Sequence, residues 1–423
     1  MSDTLQISIG PKITPNDFFL RLKELGVSRG AVIHPSISAG QPLGEHLTAF
    51  DELIRGSAGY SDHEAVFFMA DAETNCLYFV FVHNTSRGMA QGGTRFLGYP
   101  TMGDMLFDGL RLSRAMTEKN SVAQIWWGGG KAIICPIDGH KNVDSDRRKR
   151  IFENYGKFVA SLNGVYVAAE DMNTTPEDMQ TILSQNRFVT CLPKSAGGSS
   201  NPSPWTAGGV FQAMLASVKF AEPDVPFKDK TVLVQGVGNV GSTIARLAYA
   251  AGATVLVADP YQPAVDQILK ELPGTKAVAT DAIFDVDCDI FAPSARGGVI
   301  GPDEVGKLRC KYVIGAANNQ LVDDVAQSEA LAARGIWYLP DFFINRMGIV
   351  NCANEQYGYL EDDLEAAVKK IYDDVLWLLE EARKEGKTPY EVAIMQARKL
   401  TTESHPIMGH RGLRIIKDLL DRY

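Results

Sequence analysis

The sequence predicts an α/β protein of two domains with a C-terminal helical segment, and three observations carry that prediction. Its 423 residues exceed what one ordinary hydrophobic core organises. Around residues 195–204 a cluster of Gly, Ser, Asn and Pro separates two stretches of different texture, so a domain boundary belongs there. From Thr231 onward, strand-like runs, glycine turns and helix-like runs alternate, which predicts a doubly wound, mostly parallel sheet. The expected spans are 1–47 for an N-terminal extension, 48–200 for a first α/β domain, 201–345 for the doubly wound domain and 346–423 for C-terminal helices packing back on the first domain.

Composition narrows the classes of function. No window approaches the roughly 18 consecutive apolar residues of a membrane span, and the N-terminus lacks the basic start and apolar middle of a signal peptide. A soluble, cytoplasmic protein is expected. The formal net charge of −9 argues against a broad nucleic-acid surface. The dense basic run Asp146-Arg147-Arg148-Lys149-Arg150 reads as a solvated helical face. Six cysteines stand singly, without the CxxC pairs of zinc or redox sites, and read as reduced core thiols. No metal is expected; His405 and His410 in the tail are the weak exception.

Along the chain, Thr14-Pro15-Asn16-Asp17 signals the start of a short amphipathic helix through Leu25, and Pro35 to Pro42 reads as a loop. The apolar runs 65–69 and 77–82, separated by the polar Asp71 to Asn75, predict an antiparallel hairpin. Met102, Met105, Leu106 and Leu110 have helical spacing and carry the chain toward Met116. A strand at Ala132–Cys135, a helix from about Asp146 to Leu162 and a strand from Val165 follow. Thr174-Thr175-Pro176-Glu177 then starts another helix. From Glu361 to Glu385, Leu364, Val368, Ile371, Val375 and Leu378 form a core-facing helical stripe.

The chemistry concentrates in Met116 to Lys131, where Lys119 and Lys131 bracket an apolar segment ending in Trp126 and Trp127, and three glycines deliver Lys131. Successive glycines are costly in regular structure, so their expected use is close approach of backbone to a ligand. A second cation beside a partly desolvated ammonium favours the neutral amine, which makes a lysine a usable acid/base. Taken alone, the stretch reads equally well as a glycine turn before a surface lysine. Gly92 and Gly93, after Gln91, again offer close backbone approach. Glu170-Asp171 ends a strand just before a helix start, where a carboxylate stays ionised and can exchange protons, or simply caps the helix.

In the second domain, Gly236-Val237-Gly238-Asn239-Val240-Gly241 lies between a strand and a helix, and Asp259 ends the next strand. In that context the first glycine permits the turn, the second lets a pyrophosphate approach the helix N-terminus, and the third allows close helix–strand packing. A Rossmann dinucleotide site is expected. Asp259 is placed to accept hydrogen bonds from an unphosphorylated ribose, which favours NAD over NADP. The loops after the later strands, including Asn318 and Asn319, should face the nicotinamide end; both asparagines could equally be turn residues.

These blocks together resemble the Glu/Leu/Phe/Val (amino-acid) dehydrogenase family, closest to its leucine/phenylalanine branch, over roughly residues 50–395. The resemblance is carried by Met-Thr-x-Lys-Asn with Gly-Gly-Gly-Lys, Ala-Glu-Asp-x-x-Thr-Thr, Pro-Ser-Pro-x-Thr-Ala, Gln-Gly-Val-Gly-Asn-Val, Asp-Cys-Asp-Ile-Phe-Ala-Pro and Gly-Ala-Ala-Asn-Asn-Gln-Leu. It implies that Lys119 holds the substrate α-carboxylate with Gly92 and Gly93 nearby. Lys131 would polarise the carbonyl oxygen and activate water, and Asp171 would shuttle a proton to or from the substrate nitrogen. Asn318 would contact substrate near the nicotinamide, and Thr206 would help seat that end of the cofactor. The implied reaction is reversible NAD-dependent oxidative deamination of an L-amino acid to a 2-oxo acid and ammonia, in a homo-oligomer whose first domain serves substrate and assembly.

Four positions, in three places along the chain, depart from the family pattern. Gln91 stands where glutamate dehydrogenases have a lysine and the leucine branch a leucine; Arg346 and Met347 replace small residues; Trp127 replaces a leucine. A pocket reshaped for a polar or anionic side chain is expected, with Gln91 and Arg346 as contacts, unless Arg346 points outward or pairs with Asp341 or Glu355. A different class of function, a dinucleotide-binding sensor or structural subunit without turnover, is opposed by the joint presence of Lys119, Lys131 and Asp171.

Overall fold

The structure, a computed structural model, describes residues 10–34 and 44–419; the expected loop from Pro35 to Pro42 lies outside them. The chain forms two compact units. One runs to Ser200 and takes the chain up again at Arg398; the other is Asn201–Ala397.

The first unit is built on six strands, β1 (Arg29–Ile33), β2 (Ala65–Asp71), β3 (Cys76–Asn84), β4 (Ala90–Phe96), β5 (Gly128–Pro136) and β6 (Tyr166–Glu170), in the order β1-β2-β3-β5-β4-β6. The apolar hairpin β2–β3 pairs antiparallel, with Phe67 opposite Val80. β3 also pairs antiparallel with β5, whereas β4 runs parallel to both β5 and β6. One face of the sheet carries Phe68, Phe79 and Phe81 into a core with Phe18, Phe50, Met105 and Leu110. The other face packs Tyr78 edge-on against Tyr155 of the helix Ser145–Ser161.

Two expectations about this unit are corrected. Residues of the supposed N-terminal extension belong to the core: Phe18 and Leu22 of the helix Pro15–Glu24 are buried, and β1 pairs with β2 along its length. Second, the glycine clusters, expected to bring backbone close to a ligand, lie in strands and bring their own neighbouring elements close. Gly92 and Gly93 lie within β4 and the Gly128–Gly130 triplet opens β5. A side chain at Gly129 would place its Cβ 2.0 Å from Thr117 Oγ1, on the helix Met102–Val122 packed above it. At Gly92 it would meet the Gly130 carbonyl oxygen at 1.7 Å. Neither position admits a side chain without parting the helix or the neighbouring strand.

The second unit holds β7 (Thr231–Gln235), β8 (Thr254–Ala258), β9 (Lys276–Ala277), β10 (Ile290–Pro293), β11 (Tyr312–Val313) and β12 (Trp337–Tyr338), in the order β12-β11-β10-β7-β8-β9. All pairings are parallel. The chain winds outward from β7 in one direction and from β10 in the other, which creates a switch point between them.

The C-terminal segment does not pack as one piece on the first unit. Residues up to Ala397 belong to the second unit. There the stripe of the helix Glu361–Glu385 lies on the helix Ser203–Ala221, whose Gly209 admits Ile371 and whose Gly208 faces Val368. Only the tail from Arg398 joins the first unit. It is tied there by Arg87, 3% exposed, which donates to Glu403 Oε2 at 2.7 Å and stacks on Trp126 at 4.3 Å.

The glycine packing gives a direct test. Gly129→Ala should lower the thermal midpoint markedly, the overpacking costing about 1–3 kcal/mol or more. Gly98→Ala, where nothing lies within 4 Å of the added methyl, should leave the midpoint unchanged. Equal midpoints for the two variants would contradict this packing.

Candidate active site

Side chains alternate faces along a strand, so Gln91, Gly93 and Arg95 of β4 share one face. Gln91 pairs in register with Gly129 of β5 and Val167 of β6, and Gly93 with Ala169. Asp171 follows β6 on that same face: a Cβ on Gly93 would lie 2.6 Å from its Cβ. In the space left open, Lys131 Nζ donates to Asp171 Oδ2. Arg95 Nε donates to the same oxygen at 3.1 Å. Thr174 Oγ1 accepts the Asp171 backbone N–H at 2.9 Å, which fixes the turn where strand gives way to helix. Thr175 then caps the helix Pro176–Leu183 in a reciprocal capping box with Asp178.

Lys131 is 5% exposed, and the Asp171 side chain 26%. Burial pushes the Asp171 carboxyl up, but Lys131 and Arg95 outweigh it and hold the group at about 2. Arg95 is itself anchored: its Nη1 donates to Asp108 Oδ2 at 2.6 Å, and Asp108 also accepts from Tyr99 Oη at 2.7 Å and Arg111 Nη2 at 3.0 Å.

Lys119 lies in the last turn of the helix Met102–Val122. Thr117, two residues earlier, packs on Gly129, and Asn120 Nδ2 donates to the Gly128 carbonyl at 2.5 Å. The helix end that carries Lys119 is thereby fastened to the strand that carries Lys131. Beside it, His83 Nδ1 is hydrogen-bonded to Thr117 Oγ1 at 2.8 Å, and burial holds this imidazole near 3, hence neutral. Gln91 is buried, and its Oε1 has no hydrogen-bond partner.

In the second unit, the turn after β7 has the shape of a phosphate cradle. Gly236 has φ +89° and a Cβ there would meet Ala295 at 2.7 Å; at Gly241 it would meet the Gly236 carbonyl oxygen at 1.8 Å. Gly238 has nothing within 4 Å of that position and caps the helix Asn239–Ala250. The middle glycine thus faces open space at a helix N-terminus, with Asn239 exposed and Val240 half-buried. Asp259 Oδ2 accepts the Val237 N–H at 2.9 Å and Oδ1 the Tyr261 N–H at 2.8 Å, which ties the carboxylate to the turn. Beyond β11, Asn345 Nδ2 donates to both the Ala316 carbonyl at 3.1 Å and Asn318 Oδ1 at 2.8 Å. A carbonyl can only accept, so the Asn345 amide has one orientation, and Asn318 therefore turns its own NH2 outward.

Comparison with known proteins decides the family. Residues 69–187 match the Glu/Leu/Phe/Val dehydrogenase dimerisation domain, and residues 197–262 and 261–397 match the Glutamate/Leucine/Phenylalanine/Valine dehydrogenase domain. The chain belongs to the Glu/Leu/Phe/Val dehydrogenase family. It is an amino-acid dehydrogenase of the class acting on CH–NH2 donors, with a Rossmann-type NAD(P)-binding domain. It is 38% identical over 332 residues to leucine dehydrogenase of Thermoactinomyces intermedius, covering 78% of this chain and 89% of that one. To phenylalanine dehydrogenase of the same organism it is 36% identical over 351 residues, 82% and 94% of the two chains. The crystal structure of L-tryptophan dehydrogenase from Nostoc punctiforme superposes with a TM-score of 0.70 at 34% identity, covering 80% of this chain and 96% of that chain.

Of the residues singled out in the sequence, Lys131, Asp171, Gly93 and Gln91 share one sheet face, with Lys119 on the helix packed over it. Gly92 serves the contact between β4 and β5. Thr206, in the first turn of the helix Ser203–Ala221, donates to the Pro202 carbonyl at 3.2 Å and lies beside Gly348. Arg346 is held within the second unit. It is 5% exposed, ion-paired to Asp374, donates to the Phe343 carbonyl at 2.9 Å and stacks on the Phe343 ring at 4.9 Å. Its charge is neutralised inside the second unit, by neither of the two acids considered from sequence. Among the described residues no group of three or more His, Cys, Asp or Glu that could hold a metal ion is gathered, around His405 and His410 or elsewhere. His405 packs on Trp126 at 5.3 Å, and His410 Nε2 meets Glu64 Oε1 at 3.1 Å.

Sequence reasoning missed Arg95, Asp108, Asn120 and Asn345. The motifs held Asn120 in plain view beside Lys119, but Arg95 and Asp171 are separated by 76 positions and no spacing rule joins them.

The depressed Asp171 carboxyl predicts a pH signature. A folded value near 2 against an ordinary 3.8 stabilises the fold by about 2 kcal/mol above the ordinary value, and this is lost as pH falls through the folded one. The stability difference between wild type and Asp171→Asn should be largest above about pH 5 and shrink toward about pH 2 in urea titrations. A difference independent of pH would contradict the assignment.

Proposed function

We propose that this protein catalyses the reversible, NAD-dependent oxidative deamination of an L-amino acid with a polar side chain to the 2-oxo acid and ammonia. The observation that carries the reading is the Lys131–Asp171 contact on a sheet face cleared by Gly93.

The turn Gly236 to Gly241 fits a dinucleotide: its close contacts exclude side chains at Gly236 and Gly241 while Gly238 leaves room for a pyrophosphate. Asp259 would hold the adenosine ribose, and its negative charge beside that ribose disfavours a 2′-phosphate, which supports NAD over NADP. Thr206 and Asn318 would serve the nicotinamide end. When bound, NAD accepts the hydride that leaves the substrate Cα.

The chain's own residues do the rest. Lys119 pairs with the α-carboxylate, beside backbone supplied by Gly92 and Gly93. Lys131 Nζ directs a water to the imine carbon and then polarises the new carbonyl oxygen. Asp171 exchanges the proton of the substrate nitrogen as ammonia leaves. One amino acid, one NAD and one water thus yield one 2-oxo acid, one ammonium, one NADH and one proton. Gln91, a buried amide whose Oε1 has no partner, supports a substrate side chain that donates a hydrogen bond; Arg346, held by Asp374, takes no part. The chain's match to a dimerisation domain supports a homo-oligomer. No helix among the described residues is long and apolar enough to cross a membrane, which fits a cytoplasmic location.

A panel of L-amino acids assayed for NADH formation should show turnover with NAD far above that with NADP, highest for polar side chains. Lys131→Ala should abolish it while NADH binding, followed by fluorescence, stays unchanged. Turnover by Lys131→Ala at the wild-type rate would remove this mechanism, and a preference for leucine would remove the polar pocket.

A further inference from the structure

We propose that Arg95 is a positioning residue for this reaction: it pins Asp171 through Oδ2, and Asp108 holds Arg95 in place to do so. The inference rests on Lys131 and Asp171 being the reacting pair.

The geometry leaves Arg95 little freedom. It stands two residues beyond Gly93 on the same face of β4, and its planar guanidinium spans two carboxylates, Nε on Asp171 at 3.1 Å and Nη1 on Asp108 at 2.6 Å. Its side chain is 17% exposed and that of Asp108 is 15% exposed. Asp108 rides on the helix Met102–Val122 and is held from two further sides by Tyr99 and Arg111. Arg95 is thus fixed at one end by a carboxylate that cannot swing away, and it delivers that rigidity to Asp171.

The chemistry needs such a hold. Lys131 and Asp171 satisfy each other before substrate arrives, but in the reaction Lys131 Nζ must turn to the substrate oxygen and Asp171 to the substrate nitrogen. Without a second cation, Asp171 would lose its orienting partner at that moment, and burial alone would favour its protonated form. With Arg95 still on Oδ2, the carboxylate stays aimed and ionised while Lys131 moves. Lysine is no substitute here, since a single ammonium cannot span both acids.

A double-mutant cycle tests this on the full chain. Arg95→Met should lower kcat about 100-fold, with KM for the amino acid and the Kd for NADH changed less than about threefold. In the Asp171→Asn background the same substitution should cost less than about threefold, because its effect runs through Asp171. Equal losses in both backgrounds, or near-wild-type kcat for Arg95→Met, would overturn the inference. If Arg95→Met does not fold, Asp108→Asn replaces it in the same cycle, with about a tenfold loss expected in the wild-type background and none in Asp171→Asn. Wild-type turnover by Asp171→Asn itself would instead remove the underlying reaction scheme, so the two failures are distinguishable.

Discussion

The contact between Lys131 and Asp171 depends on an absence. Gly93 stands between them on β4, and any side chain there would occupy the volume that the Asp171 carboxylate uses to reach the lysine. Around that vacancy the neighbouring glycines have a matching purpose. Gly129 lets Thr117 and its helix settle onto β5, so that Lys119 is carried close over the strand bearing Lys131, and Gly92 lets β4 close on Gly130. The conformational freedom of glycine is not what matters here; what matters is that backbone approaches backbone, and an acid approaches a base, more closely than a Cβ permits.

Glycine is used differently in the second unit. Gly236 and Gly241 are compressed against their own fold, while Gly238 faces open space at a helix N-terminus. The first two shape the turn and the middle one leaves room for a ligand. Electrostatics divides in the same way. In the first unit cations and anions are interleaved between one sheet face and the helix packed on it, Lys131, Asp171, Arg95, Asp108 and Arg111 in a continuous chain of ion pairs. At the glycine turn of the second unit, the carboxylate of Asp259 is instead tied by backbone N–H groups. The six thiols stand apart from this chemistry, and burial pushes those of Cys76 and Cys135 up to about 12 and about 11.

Much of this was legible in the residues. The apolar runs of Ala65 to Val82, the helix-start signal Thr175-Pro176 and the strand–glycine–helix pattern at Thr231 are local, and each folds as its local physics directs. The glycine strand was not legible, because Gly-Gly-Gly before Lys131 has poor strand propensity and reads equally well as a turn; pairing with β3 and β4, with Thr117 and Tyr166 closing on its two faces, makes a strand of it. The ion pair of Arg346 was not legible for a related reason. A cation beside a binding motif suggests a ligand, but its partner Asp374 is 28 positions away on another helix. Two-residue edge elements such as Lys276–Ala277 carry too little pattern to be seen at all.

A missing side chain, rather than any single charged residue, places the acid on the base. Steady-state kinetics of Gly93→Ala test it most directly, because the added methyl would lie 2.6 Å from Asp171 Cβ and must displace the carboxylate. Amino-acid turnover is expected to fall at least about 100-fold, as expected for a misplaced reacting group, while NADH binding in the second unit is unaltered. Wild-type turnover by Gly93→Ala would contradict it.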